Sequence, residues 1–446
     1  MLNILKQLVA DKNVLVLGYG REGRSTLRRL LQAGTCASLA IADQSEIFPE
    51  DPSVQVVSGP AYLEHLDDYD LVFKSPGIVL PRNPSEYRCA FTSQMEVFLT
   101  AYRNQVIGIT GTKGKSTVTT LLYHILKESG RDTVLAGNIG IPAFDILEDI
   151  RDGTRIVCEL SCHQLEYIHV SPHIAVLLNI HEEHLDHYGT MERYVHSKQQ
   201  IYLHQEPEDL LLCGLPCLPA EGACKSHICT VSDHPSSADV VLNGSDICFG
   251  RRNFQIPVQE IHLLGHHNHL DIAFDYAICH MLGLSDAEFA TALKSYEPLP
   301  HRLHFIGERN HIRYYDDSIS TIGDTTIQAL KSVPEVGSVL IGGMDRGIEY
   351  DDLITWLSGH PVPHIILMYD TGKRIYQEIR QKYPDFSSPE RLVLVDTLKD
   401  AVAAARTLTS PGAACVLSPA AASYGIFKNF EERGDVFQKL ALGQEL

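Results

Sequence analysis

The run from residue 107 to 117, Ile-Gly-Ile-Thr-Gly-Thr-Lys-Gly-Lys-Ser-Thr, limits what the chain can fold into more than any other stretch. It follows an apolar, strand-like segment (Val106, Ile107, Ile109) and leads into a helix-like one (Val118 to Leu126). Strand, glycine-rich turn and helix is the arrangement a phosphate-binding loop needs. Gly111 and Gly114 let the main chain approach phosphate oxygens, and the first amides of the following helix point to the same place. In this pattern Lys115 reaches the terminal phosphates and Ser116 holds Mg2+. The match is imperfect, because Ile109 stands where the first glycine of G-x-x-x-x-G-K-[ST] belongs. A glycine-rich turn without a phosphate is the alternative, and it leaves Lys115 and Ser116 without a reason.

The 446 residues suffice for about two to four domains. With 44% hydrophobic and 21% charged residues, the chain has the make-up of a globular protein with a full core. A formal charge of −19 argues against a nucleic-acid or membrane-surface partner. Anionic substrates would then need locally basic pockets. No apolar run approaches membrane-spanning length, and Met1 to Lys12 lacks the apolar region of a signal peptide, so a cytoplasmic location is expected. The eleven cysteines are scattered, and several, such as Cys158, Cys279 and Cys415, lie in apolar stretches, as reduced buried thiols do. Cys213, Cys217, Cys224 and Cys229 form a local group. Their spacings of three, six and four intervening residues do not match a common zinc knuckle. They read as loop and small-strand cysteines, with a structural metal as the alternative.

Three segments are expected: 1–98, 99–298 and 299–446. In the first, Asn13 to Leu17 reads as a buried strand, Arg24 to Ala33 as a helix and Ser38 to Ala42 as a second strand. The second opens with the phosphate loop and continues with strand-like runs at Arg155 to Leu160 and Ile174 to Ile180. Its turn-rich part, Cys213 to Pro257, reads as a small antiparallel insertion, followed by a helix over Asp271 to Leu282. The third alternates regularly. Strands at Val339–Ile341, His364–Met368, Leu392–Val395 and Ala413–Leu417 are separated by helices at Tyr350–Leu357, Gly372–Lys382 and Leu398–Thr407. That alternation predicts a parallel sheet with helices on both faces.

Directly after the first strand comes Gly18-Tyr19-Gly20-Arg-Glu-Gly23, and Asp43 closes the next strand about twenty residues on. This is a dinucleotide fingerprint in outline, in which glycines permit a tight turn against a pyrophosphate and the acid accepts from a ribose or a base. It does not distinguish NAD, FAD or another nucleotide, and a ligand-free turn is the alternative. In the central segment Glu159 ends a strand, where acidic residues hold Mg2+ in phosphate-loop enzymes; a solvated strand end is the alternative. His181, His184 and His187 recur at three-residue spacing after Ile180. On a helix these positions drift around the face and H-E-x-x-H is absent, so a magnesium or phosphate role for one of them is preferred over zinc. Solvated loop histidines are the third reading.

Taken together, an ordered set of motifs resembles the Mur ligases. It comprises Gly108 to Ser116, Gly137-Asn138-Ile-Gly140, Glu159-Leu-Ser161, Leu178 to Asp186, Ser197-Lys198, Gly265-His-His267-Asn268, His301-Arg302, Asp317-Ser318 and the run from Leu417 to Phe437. The resemblance spans all three segments in order. It implies an α/β chain of three domains: a Rossmann-like N-terminal domain, a phosphate-loop ATPase domain and a Rossmann-like C-terminal domain. It also implies ATP-dependent addition of an amino acid to a peptidoglycan precursor. The C-terminal run is most similar to members that join D-glutamate to UDP-N-acetylmuramoyl-L-alanine through an acyl phosphate; L-glutamate or another acidic amino acid is the alternative. By resemblance, Gly18, Tyr19, Gly20, Asp43, Ser75 and Gly77 hold the UDP end of the substrate. Asn138, Ser161 and Gln164 position its muramoyl part. ATP falls to Gly111, Thr112, Lys113, Gly114, Lys115, Ser116 and Thr117, with Asn268, Arg302 and Asp317 closing from the later segments. Ser116, Glu159 and His184 are carried over as ligands of two Mg2+ ions, and Lys198 as a lysine that CO2 carbamylates, its carbamate helping to hold the second Mg2+. Thr321, Arg346, Ser423 and Phe430 are expected around the incoming glutamate. A monomer is expected.

The chain departs from the family pattern at several places. Ile319 and Ile322 stand where lysine and asparagine are usual, Arg346 for lysine, Gly425 for aspartate, Lys113 for asparagine and Asp271 for asparagine. Several of these fall where glutamate should bind, which makes the amino acid's identity the least constrained part of the expectation. Two other classes remain in view. A nucleotide sensor without activity would require the magnesium residues to be lost. An oxidoreductase using the first glycine turn would leave Lys115 and the third segment unexplained.

Overall fold

The computed structural model describes residues 1–139, 141–384 and 388–444; Gly140 of the Gly137–Gly140 motif lies outside them. Three sheets carry the chain, and the fold is the expected α/β one. The first contains β1 (Asn13–Leu17), β2 (Ser38–Asp43), β3 (Gln55–Ser58), β4 (Leu71–Lys74) and β5 (Ala90–Thr92). All its pairings are parallel, in the order β3-β2-β1-β4-β5. The strand order reverses on either side of β1, so the carboxyl ends of β1 and β4 border the crevice where such sheets take ligands. β1 is buried over Val14 to Leu17, as its unbroken apolar run requires of a strand covered on both faces. The helix Arg21–Ala33 starts three residues earlier than its apolar period suggested, because Gly20 serves as its N-cap and the first turn is polar. It ends at Gly34, whose φ of 63° lets its N–H reach the Leu30 carbonyl.

The second sheet contains β6 (Val106–Thr110), β7 (Thr133–Gly137), β8 (Arg155–Glu159), β9 (Ile174–Leu177), β10 (Leu210–Gly214), β11 (His227–Ser232), β12 (Val240–Asn243), β13 (Asp246–Phe249) and β14 (Arg252–Gln255). Its order is β14-β13-β12-β11-β10-β9-β6-β8-β7. The expectation of a separate antiparallel insertion over Cys213 to Pro257 is corrected here. β10, β11 and β12 extend the parallel sheet, and only β12, β13 and β14 form an antiparallel meander at its edge. Short strands between polar turns carry no sequence mark of their direction, so turn density alone misled.

The third sheet contains β15 (His304–Arg309), β16 (Ile312–Asp316), β17 (Val336–Ile341), β18 (His364–Met368), β19 (Leu392–Val395) and β20 (Ala414–Leu417), in the order β15-β16-β20-β17-β18-β19. β16 to β20 pair in parallel, as the alternation predicted, and β15 adds an antiparallel edge. The chain divides into two compact units, residues 1–256 with 270–293, and residues 257–269 with 294–446. Within the first unit, the first and second sheets share one apolar core that includes Val14, Phe73, Phe98, Val106, Phe144 and Ile156. Arg28–Asp145 and Arg29–Glu148 ion pairs, at 2.8 and 2.6 Å, border it. No helix among the described residues is long and apolar enough to cross a membrane.

Candidate active site

The glycine turn after β1 is built by contact. Gly18 has φ of 98°, and a Cβ on Gly23 would lie 1.9 Å from the Gly18 carbonyl oxygen, so the helix can pack this close only with glycine there. The Asp43 carboxylate accepts the Tyr19 N–H at 2.7 Å and the Ser45 N–H at 2.8 Å. Ser75 donates its hydroxyl to the Gly18 carbonyl at 3.2 Å, which joins the turns that follow β1 and β4. Gly77, with φ of 80°, completes the second turn. Gly20 is the N-cap of the helix Arg21–Ala33 and has no side chain to cover the helix's N-terminus. The residues Gly18, Tyr19, Gly20, Asp43, Ser75 and Gly77 thus gather at the carboxyl ends of β1, β2 and β4.

The phosphate loop runs from the end of β6 into the helix Lys115–Glu128. Gly114 takes φ of 84°, and a Cβ there would meet the Asp271 carboxylate at 2.5 Å. Asn179 pins the loop, because its side-chain oxygen accepts the N–H groups of Thr112 at 3.1 Å and Lys113 at 2.9 Å. Lys113 pairs with Glu183 at 2.9 Å. The Lys115 ammonium donates to the carbonyls of Gly111 at 2.9 Å and Thr112 at 2.8 Å, and burial pushes its pKa below the ordinary lysine value. Lys198, 1% exposed on the helix Met191–Leu203, donates to the same Gly111 carbonyl at 2.8 Å. Burial first, and the Lys115 charge second, push the Lys198 amine down to about 8. Ser116 is half-buried and Thr117 buried in the first turn of the loop's helix.

Glu159 at the end of β8 is 1% exposed, which overturns the reading of a solvated strand end. One oxygen accepts from Asn138 at 2.6 Å, while Oε2 is buried and has no partner among the described residues. A buried, half-satisfied carboxylate is costly unless a cation or donor completes it, so this donor fits a magnesium ion. Among the described residues no group of three or more His, Cys, Asp and Glu converges as a metal cage. Such an ion would therefore draw on substrate oxygens and water as well, as magnesium commonly does.

The three histidines separate. The His181 N–H reaches the Thr112 hydroxyl at 2.9 Å, and His187 lies 3.3 Å from Glu166. His184, with φ of 57°, caps the short helix Leu185–Tyr188. Sequence reasoning missed His163, whose ring lies 5.0 Å from that of His184 and 4.4 Å from that of His187. Burial, with His187 and His184 adding to it, pushes His163 down to about 4, so it is neutral at pH 7. Its only signal was adjacency to the Glu159-Leu-Ser161 motif.

A cavity of about 320 Å³ gathers Gly77, Lys115, Asn138, Ser161, His163, His184 and Lys198. Gln164 does not line it. Its amide is used inside the protein, taking the Ser161 N–H at 3.0 Å and giving its own N–H to Glu22 at 3.1 Å.

In the second unit, Asn268 is held by the Leu264 carbonyl at 2.6 Å, and Arg302 has a buried Nε without a partner among the described residues. Asp317 accepts from Leu303 N–H at 3.1 Å and from the Ser418 hydroxyl at 2.7 Å. Burial raises its carboxyl to about 7, with Ser320, Ser418 and Arg302 opposing. Arg346 donates to the Thr321 carbonyl at 3.1 Å, and a bridge between Met344 and Ala422 sets its turn beside the one that carries Ser423. Phe430 opens the helix Phe430–Leu442 and its carbonyl accepts from the Ser318 hydroxyl at 2.8 Å. Arg433, fully buried and given no role by the sequence, holds the Ser318 carbonyl at 2.7 Å and the Ala421 carbonyl at 2.9 Å.

A largely parallel sheet with a glycine-lysine-serine loop at the end of an interior strand, β6 between β9 and β8, is the arrangement of phosphate-loop nucleotide enzymes. Comparison with known proteins narrows the class. Residues 109–270 match the Mur ligase middle domain. The chain is 32% identical over 449 residues to the UDP-N-acetylmuramoylalanine–D-glutamate ligase of Symbiobacterium thermophilum, covering 96% of this chain and 98% of that one. It is 34% identical over 444 residues to the ligase of the same name from Geobacillus kaustophilus, covering 96% of both. Among solved structures, the MurF ligase from Thermotoga maritima in complex with ADP shares the fold with a TM-score of 0.60 at 16% identity, covering 100% of this chain and 99% of that one. The UDP-N-acetylmuramate–alanine ligase MurC of the same organism does so with a TM-score of 0.60 at 17% identity, covering 96% and 98%. The chain belongs to the Mur ligase family.

Proposed function

We propose that this enzyme is the ATP-dependent ligase that joins D-glutamate to UDP-N-acetylmuramoyl-L-alanine in peptidoglycan precursor synthesis. The observation that carries the reading is the gathering of Lys115, Lys198, Asn138, Ser161 and His184 on one cavity at the phosphate loop, in a chain that aligns almost end to end with ligases of that name. An alanine carboxylate oxygen attacks the γ-phosphorus of ATP, and the bond to ADP breaks, giving an acyl phosphate. The glutamate amine then attacks the acyl carbon, phosphate departs and the amine nitrogen loses a proton to solvent. No covalent intermediate on the protein is needed, because ATP supplies the leaving group.

Lys115 would stabilise the charge that moves onto the transferring phosphoryl group. The glycine turn with Asp43, Ser75 and Gly77 would hold the UDP end, and Asn138 and Ser161 the muramoyl end. Ser116, Glu159 and His184 would hold magnesium, which when bound neutralises phosphate charge. Lys198 suits carbamylation. An amine lowered to about 8 is roughly one-tenth neutral at pH 7, and only the neutral amine attacks CO2. The resulting carbamate would add an anion for a second magnesium ion. The resemblance assigns Asn268, Arg302 and Asp317 to the nucleotide, and Thr321, Arg346, Ser423 and Phe430 to glutamate. The three functional parts are taken as residues 1–98, 99–298 and 299–446.

The test is ADP and phosphate release with UDP-N-acetylmuramoyl-L-alanine, magnesium and ATP, as D-glutamate, L-glutamate, lysine and glycine are added singly. Release dependent on D-glutamate is expected. Preference for lysine or glycine overturns the acidic-substrate assignment.

A further inference from the structure

Glu22 stands in the first turn of the helix that follows the glycine turn, two residues after Gly20. Its Oε1 is buried and without a partner among the described residues, and its Oε2 accepts the side-chain N–H of Gln164 at 3.1 Å. Burial pushes this carboxyl up to about 7, against the pull of the Gln164 amide and of the nearby Lys74. Such an arrangement costs the fold stability unless a donor or cation completes the carboxyl.

The other end of Gln164 reaches the cavity wall. Its side-chain oxygen accepts both the N–H of Ser161, at 3.0 Å, and the Ser161 hydroxyl, at 3.2 Å. Its main-chain N–H returns to the Ser161 hydroxyl at 3.2 Å. This is a capping box on the short helix Cys162–Leu165. The chemistry at both ends fixes the orientation of the Gln164 amide: a carboxylate needs its NH2, and a main-chain N–H needs its oxygen. With its proton given to Gln164 and one lone pair taken by the Gln164 N–H, the Ser161 hydroxyl offers the cavity a single remaining lone pair. It therefore meets a substrate donor, an amide N–H or a sugar hydroxyl, as an acceptor.

We infer that Glu22 is a positioning residue for the acyl substrate: through Gln164 it ties the helix at the glycine turn to Ser161, so that the two ends of one nucleotide-sugar substrate are held by a connected set of hydrogen bonds. The inference rests on the proposed function. Lys74 borders the same link. Its ammonium is 3.7 Å from Glu166, which in turn meets His187 at 3.3 Å. The link lies wholly within the first unit, where the two sheets share their core.

Steady-state kinetics of Glu22→Met, Gln164→Met and the double variant test the role, with wild-type turnover of UDP-N-acetylmuramoyl-L-alanine measured first. Absence of wild-type turnover sinks the functional reading. Given turnover, Glu22→Met should raise the KM of this substrate by roughly 10-fold, the consequence of a buried amide left without its acceptor. The KM values for ATP and glutamate should stay within about 2-fold, and Glu22→Gln, which keeps an acceptor, should recover most of the loss. The double variant should be no worse than Gln164→Met alone, because a residue acting through Gln164 has nothing left to act through. Additive losses, or an unchanged KM for the nucleotide-sugar in a folded Glu22→Met, overturn the role. Should Glu22→Met fail to fold, Glu22→Gln is compared in the wild-type and Gln164→Met backgrounds. An effect of equal size in both overturns the role, and an effect lost in the second supports it.

Discussion

Lys115 and Lys198 donate to one acceptor, the carbonyl oxygen of Gly111, at 2.9 and 2.8 Å. Two ammonium groups converging on one carbonyl repel each other, which adds to burial in pushing the Lys198 amine down to about 8, and an anion bound in the cavity they line would relieve that repulsion. The pairing also separates their chemistry. Lys115 lies in the first turn of the loop's helix, the place proposed for the transferring phosphate, while Lys198 is the more buried residue and can lose its proton near neutral pH.

Lys115→Ala should abolish acyl-phosphate formation, lowering kcat by roughly 10³-fold or more. Binding of the UDP-sugar, measured by calorimetry, should change little, because the glycine turn proposed to receive UDP belongs to another sheet. Near-normal turnover would remove the loop from catalysis.

Lys198→Ala should be nearly inactive and should regain activity when short carboxylic acids are supplied in place of the carbamate. In the wild type, the carbamate signal of ¹³CO2-labelled protein should grow as pH rises toward about 8, where the amine loses its proton. Full activity of the alanine variant without additives would refute carbamylation.

Arg346→Ala should raise the KM of D-glutamate by roughly 30-fold or more, about 2 kcal/mol, with the KM for ATP little changed. Arg346 is exposed, and its single hydrogen bond to the Thr321 carbonyl leaves most of its planar fork available for a carboxylate. An equal rise in both KM values would place Arg346 outside the amino-acid site.

Asp317 supplies a prediction about stability. Its carboxyl is raised from 3.8 to about 7 in the folded protein. The folded state therefore holds this proton more tightly than the unfolded chain does. The group's contribution to stability is full below about pH 4 and is lost as pH rises to about 7, beyond which it is constant. Asp317→Asn should accordingly raise the melting temperature of the ligand-free enzyme at pH 7.5, by a margin that narrows toward pH 5. A margin independent of pH would show that Asp317 is ionised throughout.

Much of the architecture was legible because its signals are local. β18 and β19 fall on the residues that alternation and apolar runs marked, and the Gly18 turn and the phosphate loop sit at strand ends as glycine spacing required. The direction of β10 to β12 was not legible, since pairing partners distant in sequence decide it. Nor was the β15–β16 hairpin, whose first strand has no fully buried residue and no regular apolar alternation. In the site, the family motifs marked Lys115, Glu159 and Lys198, but not what burial does to them. Glu22, Lys74, His163 and Arg433 received no role from the sequence for one reason. Each looks like an ordinary surface or loop residue until tertiary contacts remove it from water.

The apolar core common to the first two sheets bears on how this enzyme can be taken apart. Phe98 and Val106 lie on either side of the sequence boundary between those parts yet pack into the same cluster as Val14 and Ile156. A chimera that exchanged only the first 98 residues with a relative would have to re-form that seam, together with the Arg28–Asp145 and Arg29–Glu148 pairs, from residues selected in different backgrounds. The natural cassette for exchange is therefore the first compact unit as a whole, with its glycine turn after β1 and its phosphate loop kept together.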